Sequence, residues 1–186
     1  VSLMHALAAY FDHTITADKY LYFGREIENL QHGKSSGLDL FLSIHGGCHI
    51  FINGTPHKRQ LPDTSFVLVN TGKPLSSTGE CVEKAAKLFR NRDVATEFAV
   101  ITMEMDSALR QNDLVATQKC IHKNHELLKY IGVVPTKVAN FITEVEERGN
   151  AAKTCGAGAI FGDNAGVVLT LGNNEILDIV KKYGYE

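Results

Sequence analysis

From Ser76 to about Arg148 the apolar residues repeat with a helical period, and strand-like runs bracket that block on both sides. Breaks near Arg90-Asn91, Gln111-Asn112 and Gly132-Val-Val-Pro135 divide it into four helices. Ser65-Phe-Val-Leu-Val-Asn70 precedes the block as a compact apolar run. Ala151 to Cys155 and Gly166 to Leu171 follow it, separated by a loop of small residues. Strands on both sides of a helical block predict an α+β sandwich, with helices on one face of a mainly antiparallel sheet. The sheet is expected to contain those three strand segments together.

The first third reads differently. Val1 to Asp12 is expected to form a mostly buried helix, and Ala17 to Leu30 an amphipathic one. Gly33 to Leu38 is a polar turn, after which a short helix starts near Asp39. Cys48 to Ile52 alternates as a strand, Asn53-Gly54 signals a hairpin, and Lys58 to Leu61 is the expected return strand. At the far end, Asn173-Asn174 is placed to cap a last helix from about Glu175 to Tyr183. The chain opens at Val1 inside an apolar periodic run and stops just after Gly184, so both ends read as cuts.

The 186 residues are 44% apolar and 22% charged, within the globular range, with a net charge of −2. Near-neutrality argues against nucleic-acid binding and against a polybasic membrane surface. No run reaches the roughly 18 apolar residues of a spanning helix, and no signal peptide opens the chain. Cys48, Cys81, Cys120 and Cys155 are spread apart without any C-x-x-C pair. That usage suits a reducing compartment, and a cytoplasmic location is expected.

Three segments carry candidate chemistry. In Glu28-Asn-Leu-Gln-His32-Gly33-Lys-Ser-Ser36-Gly37-Leu-Asp39, a glycine turn joins a carboxylate at a helix end to another at the start of the next element. Phosphoryl transfer needs a divalent ion on the phosphate oxygens and an acidic group facing the attacking hydroxyl. Two carboxylates meeting at one turn suit both tasks, although such residues also serve as caps and solvated charges. Lys153-Thr-Cys-Gly156-Ala-Gly158 follows a strand with glycines that can aim amides at an anion, or simply link two strands. Asn70-Thr71-Gly72-Lys73-Pro-Leu-Ser76-Ser77-Thr78 is a polar turn whose hydroxyls either face a ligand or cap a helix.

The order and spacing of these segments resemble the mevalonate kinases of the GHMP kinase superfamily. Glu28, His32, Gly33, Ser36, Gly37 and Asp39 match the pattern E-x-x-x-H-G-x-P-S-G-x-D. Thr71, Ser77 and Thr78 resemble T-x-x-x-R-S-T, with one residue more after Thr71 and with Ser76 where arginine is usual. The helix around Asn124 to Val133 is similar to N-x-x-L-L-x-x-L-G-V, and Lys153 to Gly158 resembles A-K-x-x-G-A-G. The likeness runs from about Val1 to Leu171.

The resemblance implies a fold of GHMP carboxy-terminal type, a ferredoxin-like α/β sandwich. Residues 1–62 would be the remainder of an N-terminal lobe and residues 63–186 a C-terminal domain. It implies ATP-dependent phosphorylation of mevalonate to phosphomevalonate, with ATP and Mg2+ as cofactors and mevalonate as the small-molecule partner. It implies no nucleic-acid or membrane partner, and it allows a homodimer. Asp39 takes the part of the catalytic carboxylate and Glu28 that of the magnesium ligand. His32, Gly33, Ser36 and Gly37 shape the turn, Thr78 lies near the nucleotide, and Gly156, Ala157 and Gly158 pack beside the phosphates. The family's early lysine and its P-x-G-L-G-S-S-A phosphate loop have no counterpart in this chain, which is therefore expected to be inactive alone. Another GHMP kinase (phosphomevalonate or homoserine kinase) or a non-catalytic binding module of the same fold is the alternative. Ser35 stands where proline is usual, which predicts a less rigid turn before Asp39. The pairs His45/His49 and His122/His125 lack the further ligands a zinc site requires.

Overall fold

The structure is a computed structural model. It describes residues 1–32, 35–90, 93–172 and 175–186, with residues 31 and 32 described in backbone alone. The chain divides into two compact units, Val1–Leu61 and Pro62–Glu186.

The first unit holds α1 (Ser2–Tyr10), α2 (Ala17–His32), α3 (Leu38–His45) and a hairpin of β1 (Cys48–Ile52) and β2 (Thr55–Arg59). Leu40 of α3 is buried and fills the space over Gly24 of α2, where a β-carbon would come within 2.5 Å of a Leu40 methyl. That glycine is what lets the two helices approach so closely. Asn53 and Gly54 both have positive φ (51° and 78°), the geometry of a two-residue hairpin turn. Ile52 therefore pairs at once with Thr55, and the return strand starts three residues before the expected Lys58. The expectation for α1 also needs correcting. Of its residues only Ala8 is buried, whereas Leu3 is 71% and Tyr10 82% exposed. Its apolar stripe, Leu3, Leu7 and Tyr10, is exposed.

In the second unit β3 (Phe66–Asn70), β4 (Ala151–Thr154) and β5 (Val167–Leu171) form one antiparallel sheet in the order β3-β5-β4. The three segments expected to share a sheet do so. Between β3 and β4 run α4 (Thr78–Phe89), α5 (Val94–Arg110), α6 (Leu114–Tyr130) and α7 (Thr136–Glu147), and α8 (Leu177–Tyr183) follows β5. Each start has a local cause. Ser77 and Glu80 cap α4 reciprocally, while Asp93 and Asp113 accept amide hydrogen bonds at the starts of α5 and α6. Gly132, at φ 73°, ends the segment before α7.

Strand alternation sends neighbouring residues to opposite faces. Val69, Ala152 and Val168 join Phe141, Ile142 and Val145 of α7 and Ile179 and Val180 of α8 in the main core. Phe66, Ala151 and Leu171 form a register row on the other face, against Met105 of α5 and Ile121 of α6. Helices thus cover both faces rather than the single face the sequence suggested. The last helix starts at Leu177, with Ile176 at the cap position; Asn173 and Asn174 lie outside the described residues. Among the described residues no helix is long and apolar enough to cross a membrane.

Candidate active site

In the first unit, Glu28 lies in the last turns of α2 and Asp39 in the first turn of α3. Gly37 separates them in the left-handed region (φ 76°), and the space a side chain would take there is filled by the Arg25 guanidinium, 2.7 Å from a β-carbon position. Arg25 also donates to the Ser36 carbonyl at 3.2 Å, and the Ser36 hydroxyl accepts from the Leu38 amide at 3.3 Å. The resulting turn aims the exposed Asp39 into a cleft of about 370 Å³, which the half-buried Glu28 also lines. Ser43 and Ile27 form further wall, and residues 1–4 close one side. The start of α1 thus lies beside two carboxylates.

The turn is better held than the absence of proline suggested. Ser35 donates its N–H to Asn29 Oδ1 at 2.8 Å and its hydroxyl to Glu28 Oε2, and it accepts the Gly37 amide at 2.9 Å. His32 is the last residue of α2; its side chain, and all of Gly33, lie outside the described residues.

The second unit carries the other named residues. Thr78 is the exposed first residue of α4, beside the Ser77 cap. Gly156 to Gly158 leave β4 as a loop sewn to the strand and turn at 69–81. Cys81 Sγ donates to the Gly158 carbonyl at 3.7 Å, and the buried Ser76 hydroxyl accepts from the Ile160 and Phe161 amides at 2.9 and 3.3 Å. Thr71 holds the loop's far end at Ala165 and Gly166. Gly158 is obligatory, because a β-carbon there would collide with the Val133 carbonyl oxygen, which already accepts the Ala159 amide at 2.9 Å. The sequence left the hydroxyls of this turn, Ser76 among them, to face a ligand or cap a helix; the Ser76 hydroxyl instead holds two amides of the 156–166 loop.

His122 bonds Glu146 at 2.9 Å, and among the described residues no group of three or more His, Cys, Asp or Glu could hold an ion. A hard divalent ion shared with substrate phosphates asks less of the protein, one or two carboxylates. Glu28 and Asp39 in one cleft fit that requirement.

No protein-family model matches the chain. It is 30% identical over 174 residues to a curated mevalonate kinase of Archaeoglobus fulgidus, a match covering 87% of this chain and 57% of that protein. The fold matches the crystal structure of the Methanococcus jannaschii mevalonate kinase with a TM-score of 0.80 and 24% identity, over 97% of this chain and 58% of that one. It also matches a Streptococcus pneumoniae phosphomevalonate kinase in complex with phosphomevalonate and AMPPNP, with a TM-score of 0.75 and 14% identity, over 98% and 63% of the two chains. The chain therefore spans somewhat more than half the length of these relatives. Over that span it is similar to the mevalonate kinases in both sequence and fold.

Proposed function

We propose that the chain carries the catalytic carboxylates of an ATP-dependent mevalonate kinase. Residues 1–62 would be part of its N-terminal lobe and residues 63–186 its C-terminal domain. The observation that carries this reading is the convergence of Glu28 and Asp39 on one cleft. Asp39 accepts the proton of the substrate hydroxyl as its oxygen bonds to the γ-phosphorus, and the bond to the bridging oxygen breaks to release ADP. Glu28 would hold Mg2+, which neutralises charge on the phosphate oxygens when bound. Thr78 and the loop Gly156-Ala157-Gly158 serve the nucleotide side, and four cysteines spread apart without a C-x-x-C pair suit the cytoplasm. The 30% identity to a mevalonate kinase supports mevalonate as the acceptor.

The test joins this chain to the segment of the Archaeoglobus enzyme that it does not match and measures mevalonate-dependent ADP release. The joined protein should turn over, and the chain alone should not, because positioning and charge stabilisation supply most of the catalysis in this reaction. Asp39→Asn should cut kcat by roughly 10²-fold with little change in melting temperature. A rate within a few-fold of the parent would remove Asp39 from the chemistry.

A further inference from the structure

We infer that Ser35 is a positioning residue for Glu28. Its hydroxyl orients that carboxylate for a divalent cation and ties it to the turn that presents Asp39. The inference rests on the kinase reading for the role of Glu28 and on hydrogen bonds for the role of Ser35. Three bonds meet at this residue. Its N–H is anchored on Asn29 Oδ1 (2.8 Å), its hydroxyl donates to Glu28 Oε2, and its oxygen accepts the Gly37 N–H (2.9 Å). The chain of contacts therefore runs from Glu28 through one hydroxyl to Gly37, two residues before Asp39. Proline, usual at this place in the resembling sequences, has neither the N–H nor the hydroxyl and could stiffen the turn only through its ring. Ser35 fixes the turn by a different means, and that means reaches the metal-binding carboxylate itself.

A carboxylate ligand held by an outer hydrogen bond is already ordered when the cation arrives, and removing such a partner typically weakens metal affinity about 10- to 100-fold. Asn29 provides the contrast. Its side chain secures the same turn through the Ser35 backbone but does not orient Glu28 through that bond.

The experiment uses the full chain and Mn2+ as the probe, read by paramagnetic broadening of the Glu28, Gly37 and Asp39 amide signals, with melting temperatures alongside. Ser35→Ala should raise the half-saturating Mn2+ concentration about tenfold. Ser35→Thr, which keeps the hydroxyl, should restore it. Asn29→Ala, which loosens the turn and spares the hydroxyl, should move it by no more than two- to threefold. A purely structural role predicts equal losses for Ser35→Ala and Asn29→Ala, in step with their melting temperatures, and that result would overturn the inference. So would unchanged Mn2+ affinity in Ser35→Ala. If the parent shows no broadening near Glu28 while its Gly37 amide is protected by Ser35, the metal role of Glu28 falls and this inference with it. If the joined enzyme fails to turn over mevalonate while Mn2+ still depends on Ser35, only the substrate reading fails.

Discussion

The carbonyl oxygen of Gly166 accepts two hydrogen bonds from Thr71, one from its amide and one from its hydroxyl, each 2.8 Å long. The same hydroxyl accepts the amide of the buried Ala165 at 2.9 Å. Thr71→Val keeps the shape and removes the hydroxyl, leaving that amide buried without a partner. The expected cost is about 1–3 kcal/mol. Thr71→Ser should recover most of it. Urea unfolding of the three proteins checks this, and a valine variant as stable as the parent would show that the clasp contributes nothing.

Gly156 and Gly158 share a φ of +69° but differ in surroundings. A β-carbon at Gly156 meets nothing, so Gly156→Ala should cost only the left-handed strain of about 1–2 kcal/mol. At Gly158 the Val133 carbonyl blocks the position, and alanine there should cost more than about 3 kcal/mol or rearrange the loop. Thermal melts of the two alanine variants should differ clearly. Equal melting temperatures would contradict the packing of Gly158 against the residues before α7.

His125 is 1% exposed, and neither ring nitrogen has a hydrogen-bond partner among the described residues. Burial lowers its pKa from 6.5 to about 4, with Lys129, His122 and Lys153 adding repulsion and Glu126 opposing them. The unfolded chain therefore binds a proton more readily than the folded one. Stability should be level above about pH 6.5 and fall as pH drops toward 4, by up to roughly 3 kcal/mol. Arg148 holds Asp178 below the usual carboxylate range, so that group contributes its loss at lower pH. His125→Leu should flatten the curve between pH 4 and 6.5, as read from urea midpoints across that range. A variant that keeps the parent's slope would assign the pH dependence elsewhere.

Ser77 and Glu80 close a reciprocal cap on α4, with the Ser77 amide 2.7 Å from Glu80 Oε2. Ser77→Ala should cost about 1 kcal/mol and Ser77→Asp almost nothing. Because Ser77 adjoins Thr78, the joined kinase offers a second readout. A large change in KM for ATP with Ser77→Asp would mean that the hydroxyl does more than cap.

The strands were legible because period and composition agree there. Phe66 to Asn70 and Val167 to Leu171 are short apolar runs between turn residues, and the Asn53-Gly54 signal fixed the hairpin. The return strand was misplaced because a two-residue turn forces immediate pairing, and Thr55-Pro-His carries no apolar alternation to reveal it. The face of α1 was misjudged because an apolar stripe states that a side chain prefers burial, not that anything lies against it. Glu28 and Asp39 stood out in the sequence as two carboxylates flanking a glycine turn, their roles came from the resemblance, and the fold brings both to one cleft. Ser35 and Ser76 were not, since which serine reaches which partner depends on geometry, in the case of Ser76 across 84 residues.

The central position of β5 has a consequence for how the chain comes off the ribosome. Among the described residues β3 and β4 are outer strands that pair with no strand but β5, and β5 is made last of the three. Phe66 meets Leu171, so β3 emerges without any strand to pair with while four helices are synthesised. At typical elongation rates that wait is roughly 5–20 s. Throughout it, a stretch reading Phe-Val-Leu-Val presents an unpaired edge, the form of exposure that invites chaperone capture or association between nascent chains.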